Sequence, residues 1–428
     1  MADESWMETD LSALRAEGLK RSLQVMPETG GAFRAAGKRI LNFSSNDYLG
    51  LARNRIVIEG AAAALQRWGA GATASRLMAG TLPCHEELEN KLAQFKGYPA
   101  ALVFGSGYLA NLGTVTALVR RYDRILADKL AHASLLDGAL LSQAKVRRFQ
   151  HNDLDHLRCF LRQKPAGARD LIVTESVFSM DGDLAPLDDL ARLAQEHDAM
   201  LLVDEAHATG VWGPGGTGLI SKGKQQPARP PAAPVAQPLR AGNATHPPAT
   251  LARSDCGLGS VAGGPAVTVA MGTLSKALGA YGGFIAGSET LKRFLVNRAR
   301  PFVFSTALPP ACVGAALGAL QVLRQKPGMG VELLGRAETF RRRLQAEGFN
   351  VGHSVSQIVP VIVGDNHKTL ALARRLREQG IIAMAIRPPT VPVGTARLRL
   401  SLTLDHTPDD LDRVAEVLTA AARQEGLL

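Results

Sequence analysis

Several features that would identify other classes of protein are missing from this sequence. No run of about 18 or more apolar residues occurs, so we expect no membrane-spanning helix. Residues 1–18 lack the basic start and apolar core of a secretory signal, which favours a reduced, cytoplasmic setting. The cysteines are Cys84, Cys159, Cys256 and Cys312. They form no CxxC pair and no Cys/His ligand spacing, which argues against a disulfide framework or a structural zinc site.

No nucleotide-binding fingerprint is complete either. The chain contains no GK[ST] P-loop, and its glycine-rich turn FGSG (104–107) is not the six-residue pattern of dinucleotide-binding folds. The net charge is +10, but no basic stripe carries interleaved aromatic residues. We therefore expect no nucleic-acid partner, while an anionic substrate or an acidic protein partner remains compatible with the charge.

The recurring pattern is a short apolar run that ends in small or polar residues and is followed by a helical pattern. It occurs at 100–111 (AALVFGSGYLAN), 170–183 (DLIVTESVFSMDGD), 199–210 (AMLLVDEAHATG) and 266–279 (AVTVAMGTLSKALG). Alternating strands and helices predict an α/β fold with a largely parallel sheet. Ligands of such sheets bind outside the carboxyl ends of the strands, which is where all four polar segments would lie.

The sequence divides into regions that differ in composition and in the pattern of predicted helices and strands. We expect an N-terminal segment (1–45), a large domain (46–287) and a smaller C-terminal α+β domain (288–428). Within the large domain, residues 221–265 are rich in proline and alanine and predict a flexible surface insertion. Periodicity predicts further helices and strands at 84–95, 310–325, 331–349, 357–365, 367–380 and 396–404.

Four further side chains could carry chemistry, although each has a plain structural alternative. Asp204 follows a buried run and could pair with a cationic ring nitrogen, or it could simply cap a helix. His207, three residues later, could bond a ring oxygen or lie in solvent. His132 would more often be an ordinary histidine of the core or surface, and the residues SMDGD around Ser179 predict a turn.

Lys276 favours the functional interpretation of these residues over the structural one. A partly desolvated lysine has a lowered pKa and can bond the aldehyde of pyridoxal phosphate (PLP), in enzymes that also supply an acid for the pyridine nitrogen. Gly105 and Gly107 precede a helix whose amino terminus could bind the phosphate. With Asp204 and His207 at neighbouring strand ends, the functional interpretation of Lys276 prevails over that of a solvated lysine.

The motifs resemble those of the α-oxoamine synthases, PLP-dependent enzymes of the aspartate-aminotransferase fold type I. The resemblance extends over nearly the whole chain. It includes LNFSSNDYLGL (41–51), GSGYLAN (105–111), HASLLDGA (132–139), TESVFSMDGD (174–183), VDEAHATG (203–210), TLSKALG (273–279), FSTALPP (304–310) and RPPTVPVGTARLRLSLT (387–403). It implies a large domain with a mostly parallel seven-stranded sheet and a smaller C-terminal α+β domain.

The resemblance also implies roles for individual residues toward PLP. Lys276 would hold PLP covalently, Asp204 would face the pyridine nitrogen, and His132 would stack on the ring. The ring hydroxyl would be bonded by His207 and Ser179, and the phosphate by Gly107, Tyr108 and Thr273. Ser305 or Thr306 would reach the phosphate in a partner subunit of a homodimer.

Other residues would contact the substrates. The resemblance implies that Arg399 clamps the amino-acid carboxylate and that Arg21 and Thr390 contact the acyl substrate or its product, with Asn46 and Ser75 as further candidates. Segment 387–403 is most similar to the family member that condenses L-alanine with a pimeloyl thioester, on coenzyme A or acyl carrier protein, in biotin synthesis.

Two alternatives remain open: the member that uses glycine and acetyl-CoA, and a PLP-binding subunit without activity. The insertion at 221–265 is unusual for the family. Ala74 stands where relatives often have glycine.

Overall fold

The computed structural model describes residues 4–35, 37–220 and 269–428. The predicted insertion at 221–265 lies outside these residues. Within the described ranges, no helix is both long and apolar enough to cross a bilayer. The described strands are β1 (Ala32–Ala35), β2 (Lys38–Asn42), β3 (Ala100–Phe104), β4 (Arg124–Asp128), β5 (Lys145–Phe149), β6 (Asp170–Glu175), β7 (Ala199–Asp204), β8 (Val269–Thr273), β9 (Gly283–Gly287), β10 (Ile358–Gly364), β11 (Ile381–Ile382), β12 (Met384–Ile386) and β13 (Ala396–Ser401).

Helices alternate with the strands, as the sequence pattern predicts. They are α1 (Ser5–Ala16), α2 (Arg55–Trp68), α3 (Pro83–Lys96), α4 (Gly107–Leu118), α5 (Ala133–Leu141), α6 (Leu154–Leu161), α7 (Leu187–Glu196), α8 (Glu289–Arg298), α9 (Arg300–Val303), α10 (Pro310–Gln325), α11 (Met329–Ala346), α12 (Asn366–Glu378) and α13 (Pro408–Gln424). Side-chain oxygens of Asn54, Ser106, Asp153, Ser288, Asp365 and Thr407 accept backbone bonds at helix starts, which satisfies otherwise orphaned N–H groups.

The central sheet contains seven of the described strands in the order β3-β9-β8-β7-β6-β4-β5. Only β9 runs against its neighbours, β3 and β8, while the other neighbouring pairs are parallel. This confirms the predicted fold class. Consecutive side chains of β7 serve opposite faces: Leu201 and Val203 join one buried cluster and Leu202 the other. Burial on both faces explains why these strands are continuous apolar runs.

The register of the sheet brings the polar strand ends together. Glu175 at the end of β6 lies opposite Asp204 at the end of β7, and Asp204 lies opposite Met271 in β8. Strand β8 then ends at Thr273, three residues before Lys276. The carboxyl edge of the sheet therefore gathers most of the candidate chemistry.

The C-terminal region has its own antiparallel sheet, β10-β13-β12, while β11 pairs in parallel with β2 of the N-terminal segment. Helix α10 packs closely on α2 at Gly60 and Gly314. A Cβ built on Gly60 would lie only 2.5 Å from the Gly314 carbonyl oxygen, so the absence of a side chain there permits the close approach. These contacts join the three predicted regions, and the boundaries at 45/46 and 287/288 stay predictions.

Candidate active site

Lys276 lies in a tight loop after β8. Its side-chain nitrogen is 2.8 Å from Nε2 of His207. Burial lowers the pKa of the Lys276 amine to about 8, although the negative charges of Asp204 and Glu175 oppose this shift. An amine with a pKa near 8 is partly neutral at pH 7–8, so it can act as a nucleophile and a base.

The loop itself is shaped by hydroxyl groups. Thr273 Oγ1 donates to the Gly282 carbonyl at 3.0 Å and accepts from the Ser275 amide at 3.1 Å. Ser275 Oγ in turn accepts from the Gly282 amide at 3.1 Å. Gly282 has φ +128°, a conformation that side-chain-bearing residues rarely adopt. Thr273, a predicted phosphate ligand, thus also sets the turn that carries Lys276.

His207 is buried and held on two sides. Its Nδ1 lies 2.6 Å from the Tyr48 hydroxyl, and its carbonyl accepts from Gln357 Nε2 at 2.8 Å. Burial, reinforced by the charge of Lys276, holds the pKa of His207 well below its ordinary value. A neutral imidazole therefore faces Lys276. Sequence reasoning missed Tyr48 and Gln357, although Tyr48 lies within the LNFSSNDYLGL segment.

Asp204 belongs to a chain of polar side chains that crosses the sheet edge. Its Oδ2 accepts from Asn111 Nδ2 at 2.7 Å, and its Oδ1 accepts from the Ala206 amide at 2.8 Å. Asn111 also donates to Ser134 Oγ at 2.9 Å, which lies 2.7 Å from His132 Nδ1. The structure thus links the predicted residues Asp204 and His132 through Asn111 and Ser134. Asn111 and Ser134 both lie in motifs of the family resemblance, but nothing in the sequence alone indicated that they would connect these two site residues.

His132 serves as the amino-terminal cap of α5, where its Nδ1 accepts from the Ser134 amide at 3.2 Å. Burial lowers the pKa of His132, and the positive charge of Lys276 adds to this effect while Asp204 opposes it. His132 is therefore a neutral, partly buried ring that shares charged neighbours with Lys276.

The start of α4 forms a narrow backbone cradle. A Cβ on Gly107 would lie 3.3 Å from Met271 Cε, and a Cβ on Gly283 would lie 2.5 Å from the Gly107 nitrogen. Glycine at both positions permits this approach of α4 to β8 and β9. Helix amino termini favour anions because their first N–H groups are free to donate. Tyr108 is half exposed, and its hydroxyl donates to Asp137 at 2.6 Å.

Arg399 is buried beside several other predicted residues. Its Nε donates to the Ser179 carbonyl at 2.6 Å, and its Nη1 donates to Ser401 Oγ at 2.6 Å and to Asn46 Oδ1 at 3.2 Å. Nη2 lies 3.4 Å from the Tyr48 hydroxyl. These four partners are neutral oxygens. The guanidinium is therefore oriented by the protein while its charge stays available for a carboxylate.

Glu175 is a buried carboxyl that sequence reasoning missed. Its Oε2 accepts from the Ser179 amide at 3.2 Å, whereas its Oε1 has no hydrogen-bond partner among the described residues. Burial raises the pKa of Glu175, and the neighbouring charge of Asp204 raises it further. Ser179 is consequently fixed from both sides, by Glu175 through its amide and by Arg399 through its carbonyl.

Arg21 and Thr390 meet in a second cluster. Arg21 Nη2 lies 3.4 Å from Thr390 Oγ1, in a groove of about 700 Å³ between residues 20–24 and the region of α12 and β12. Burial and the positive charge of Arg21 lower the pKa of Arg387, which also lines this groove. The groove is therefore electropositive.

Ser75 and Thr306 pair through an isolated β-bridge, which brings two further candidates together. Ser305 is partly buried, and Thr306 beside it is exposed.

The site fits pyridoxal phosphate. It combines a lysine amine of lowered pKa, a buried carboxylate, neutral imidazoles and a glycine-lined helix start, which are the groups that hold the aldehyde, ring nitrogen, ring oxygen and phosphate of this cofactor. The close approach of Gly283 to Gly107 is the observation that bears most directly on the phosphate, since a side chain there would close the cradle.

Comparison with known proteins agrees with this assignment. A family model described as aminotransferase class I and II matches residues 38–418, and the chain belongs to this family. Its cofactor is pyridoxal 5′-phosphate, and the chain is a PLP-dependent acyltransferase of the α-oxoamine synthase type.

Individual similar proteins point to a narrower group than the family model does. An 8-amino-7-oxononanoate synthase from Anaeromyxobacter dehalogenans is 44% identical over 97% of this chain and 95% of its own length. A solved 8-amino-7-oxononanoate synthase from Francisella tularensis is 27% identical, with a TM-score of 0.70 over 90% of this chain and 99% of that one. A serine palmitoyltransferase from S. paucimobilis, solved with a PLP–myriocin aldimine, is 28% identical, with a TM-score of 0.84 over 99% and 98% of the two chains.

Proposed function

We propose that this chain performs the reaction named for its relatives in the biotin pathway, as an 8-amino-7-oxononanoate synthase. L-Alanine and a pimeloyl thioester would condense to 8-amino-7-oxononanoate, with release of carbon dioxide and the free thiol. The observation that carries the proposal is the grouping of Lys276, His207 and Asp204 at one sheet edge, with Arg399 joined to His207 through Tyr48.

Lys276, Asp204 and His132 would hold and flank the cofactor. Bound PLP supplies an electron sink that stabilises negative charge at the alanine Cα. Asp204, oriented by Asn111, would keep a positive charge on the ring nitrogen. Lys276 Nζ would remove the Cα proton and later return one, and a positioned amine typically contributes about 10²–10⁴-fold to such a transfer.

Arg399 would select the amino acid. Its guanidinium is already aligned by Ser179, Ser401 and Asn46, so little order has to be gained on binding a carboxylate. A planar fork can bond both carboxylate oxygens, which a lysine cannot do. The alanine would thereby present its Cα to Lys276 in a constant orientation.

Arg21 and Thr390 would contact the acyl substrate. The groove that they line is also lined by Lys20, Arg374, Arg377 and Arg387, and its positive charge suits the anionic groups of a pimeloyl thioester. Coenzyme A and acyl carrier protein are both compatible carriers on this basis.

We also propose a homodimer in a cytoplasmic setting. In the dimer, Ser305 or Thr306 would approach the phosphate of the neighbouring subunit's cofactor. The bridge between Ser75 and Thr306 supports this, because it orders the segment that would make the contact.

A spectral titration tests the function. The visible absorbance of the purified holoenzyme should change on addition of L-alanine more than on addition of glycine or serine, and product should form only with a pimeloyl thioester. Product from glycine and acetyl-CoA would instead identify a glycine C-acetyltransferase. If the purified chain alone turns over neither pair, the proposed substrates are wrong.

A further inference from the structure

A second polar cluster lies at the carboxyl ends of β4 and β5, outside the groups that would touch the cofactor. His151 Nδ1 is 3.0 Å from Asp128 Oδ1, and its Nε2 is 2.7 Å from Asp183 Oδ2. Asn152 follows in a left-handed conformation with φ +55°, where its amide donates to Asp128 Oδ2 at 3.0 Å and its side chain donates to the Leu184 carbonyl at 3.1 Å. A single imidazole thus bridges two carboxylates on different segments.

The carboxylates make this imidazole a cation. Asp128 is fully buried, while Asp183 and His151 are largely buried. Desolvation opposes the charge of His151, but hydrogen bonds to both carboxylates outweigh it and raise the pKa of His151 to about 10. The positive charge is therefore retained throughout the neutral range and ties β4 to the segment that carries Asp183.

That segment, 178–184, is the turn that carries Ser179. The Phe178 amide donates to the Asp183 carbonyl at 3.0 Å, and the ring of Phe178 meets the His151 ring edge to face at 4.3 Å. On the opposite side, Arg397 Nη1 lies 2.5 Å from Asp181 Oδ1, and Arg399 Nε bonds the Ser179 carbonyl. The turn is therefore held between His151, which follows β5, and two arginines of β13.

We propose that His151 is a positioning residue that holds the 178–184 turn against the sheet, so that Ser179 and Arg399 stay aligned for the amino-acid carboxylate. This inference rests on the proposed role of Arg399, but the position of the turn can be measured separately. His151 acts through Asp183 and the turn backbone, whereas Asp181 and Ser179 carry the effect to β13.

The test uses the holoenzyme with His151→Gln, Asp183→Asn and the charge-retaining His151→Arg. Hydrogen exchange of peptides covering 178–184 should accelerate at least fivefold in His151→Gln and Asp183→Asn, and it should return toward wild type in His151→Arg. Peptides covering 199–210 should not change. His197→Gln, at the opposite end of β7 from Asp204, is the matched control and should leave both peptides unchanged.

The second readout separates a specific effect on carboxylate binding from a general loss of order in the active site. The dissociation constant of L-alanine, followed by cofactor absorbance, should rise about tenfold in His151→Gln, whereas that of ethylamine, which has no carboxylate, should stay within twofold. Equal weakening of both ligands, or exchange in 178–184 within twofold of wild type, would overturn the inference. If wild type fails to bind alanine while the exchange result holds, the proposed substrate is wrong and the structural role of His151 stands.

Discussion

The side-chain amine of Lys276 lies 2.8 Å from Nε2 of His207, and the other ring nitrogen of His207 lies 2.6 Å from the Tyr48 hydroxyl. Tyr48 is also the neighbour of Arg399 Nη2. A continuous polar path therefore connects the proposed base to the proposed carboxylate clamp, and it passes through a neutral imidazole that carries no competing charge.

Replacing Lys276 by alanine tests the covalent attachment. Lys276→Ala should retain cofactor only by non-covalent contacts, and turnover should fall by about 10³-fold or more because the positioned amine is lost. Absorbance after denaturation and dialysis measures the retained cofactor. A variant with wild-type absorbance and activity would show that another lysine holds the cofactor.

The ionisation of Lys276 predicts a pH dependence. In cofactor-free protein, the rate of cofactor attachment should rise with pH and level off above about 8, because only the neutral amine attacks the aldehyde. Asp204 raises the pKa of Lys276, so Asp204→Asn should move this midpoint to lower pH. Stopped-flow absorbance gives both midpoints. A midpoint near the ordinary lysine value of 10.5 would contradict the predicted environment.

Arg399→Lys should mainly weaken the binding of the amino-acid substrate. Lysine keeps one positive charge but cannot bond Ser179, Ser401 and Asn46 while also forming two bonds to a carboxylate. We expect the KM for L-alanine to rise by about 10–100-fold, equivalent to roughly 1.4–2.8 kcal/mol, with little change for the thioester. Steady-state kinetics with each substrate varied in turn would show this. A selective increase in the KM for the thioester would reassign Arg399 to the acyl substrate.

Gly283→Ala should damage the phosphate cradle. The added methyl would lie 2.5 Å from the Gly107 nitrogen. Because the clashing atoms belong to the backbone, the start of α4 would have to shift to make room for the methyl. We expect cofactor affinity to fall about tenfold, or roughly 1.4 kcal/mol, in titrations of cofactor-free protein. Gly328→Ala, where a Cβ meets no atom within 4 Å, is the control. Equal affinities in the two variants would argue against a phosphate at this helix start.

His151 predicts a pH dependence of stability. Its pKa is raised from 6.5 to about 10 on folding, so its stabilising contribution is full below pH 6.5 and is lost as pH rises to 10. The difference in unfolding free energy between wild type and His151→Gln should therefore shrink across this window, by on the order of 1–3 kcal/mol after allowance for a one-quarter exposed side chain. Chemical denaturation at several pH values measures it. A difference that is constant between pH 6 and 10 would mean that His151 is not charged in the fold.

Sequence reasoning located the central elements well. The predicted helix at 84–95 is Pro83–Lys96 in the structure, and the predicted strand at 396–404 is Ala396–Ser401. The short strands β1, β2, β11 and β12 were not predicted, because two to five residues carry too little periodicity.

The amino-acid sequence by itself determined the α/β class, the cofactor-binding lysine candidate and the strand-end residues around it, because apolar runs and motif residues are local properties of the chain. Only the tertiary structure decided which distant groups meet: Tyr48 with His207, Asn111 with Asp204, and Asn46 with Arg399. Such contacts span 93 to 353 residues, and the register of the sheet and the packing of the C-terminal region fix them. The bridge of His151 between Asp128 and Asp183 is of the same kind, because no local pattern shows that one imidazole will lie between two carboxylates.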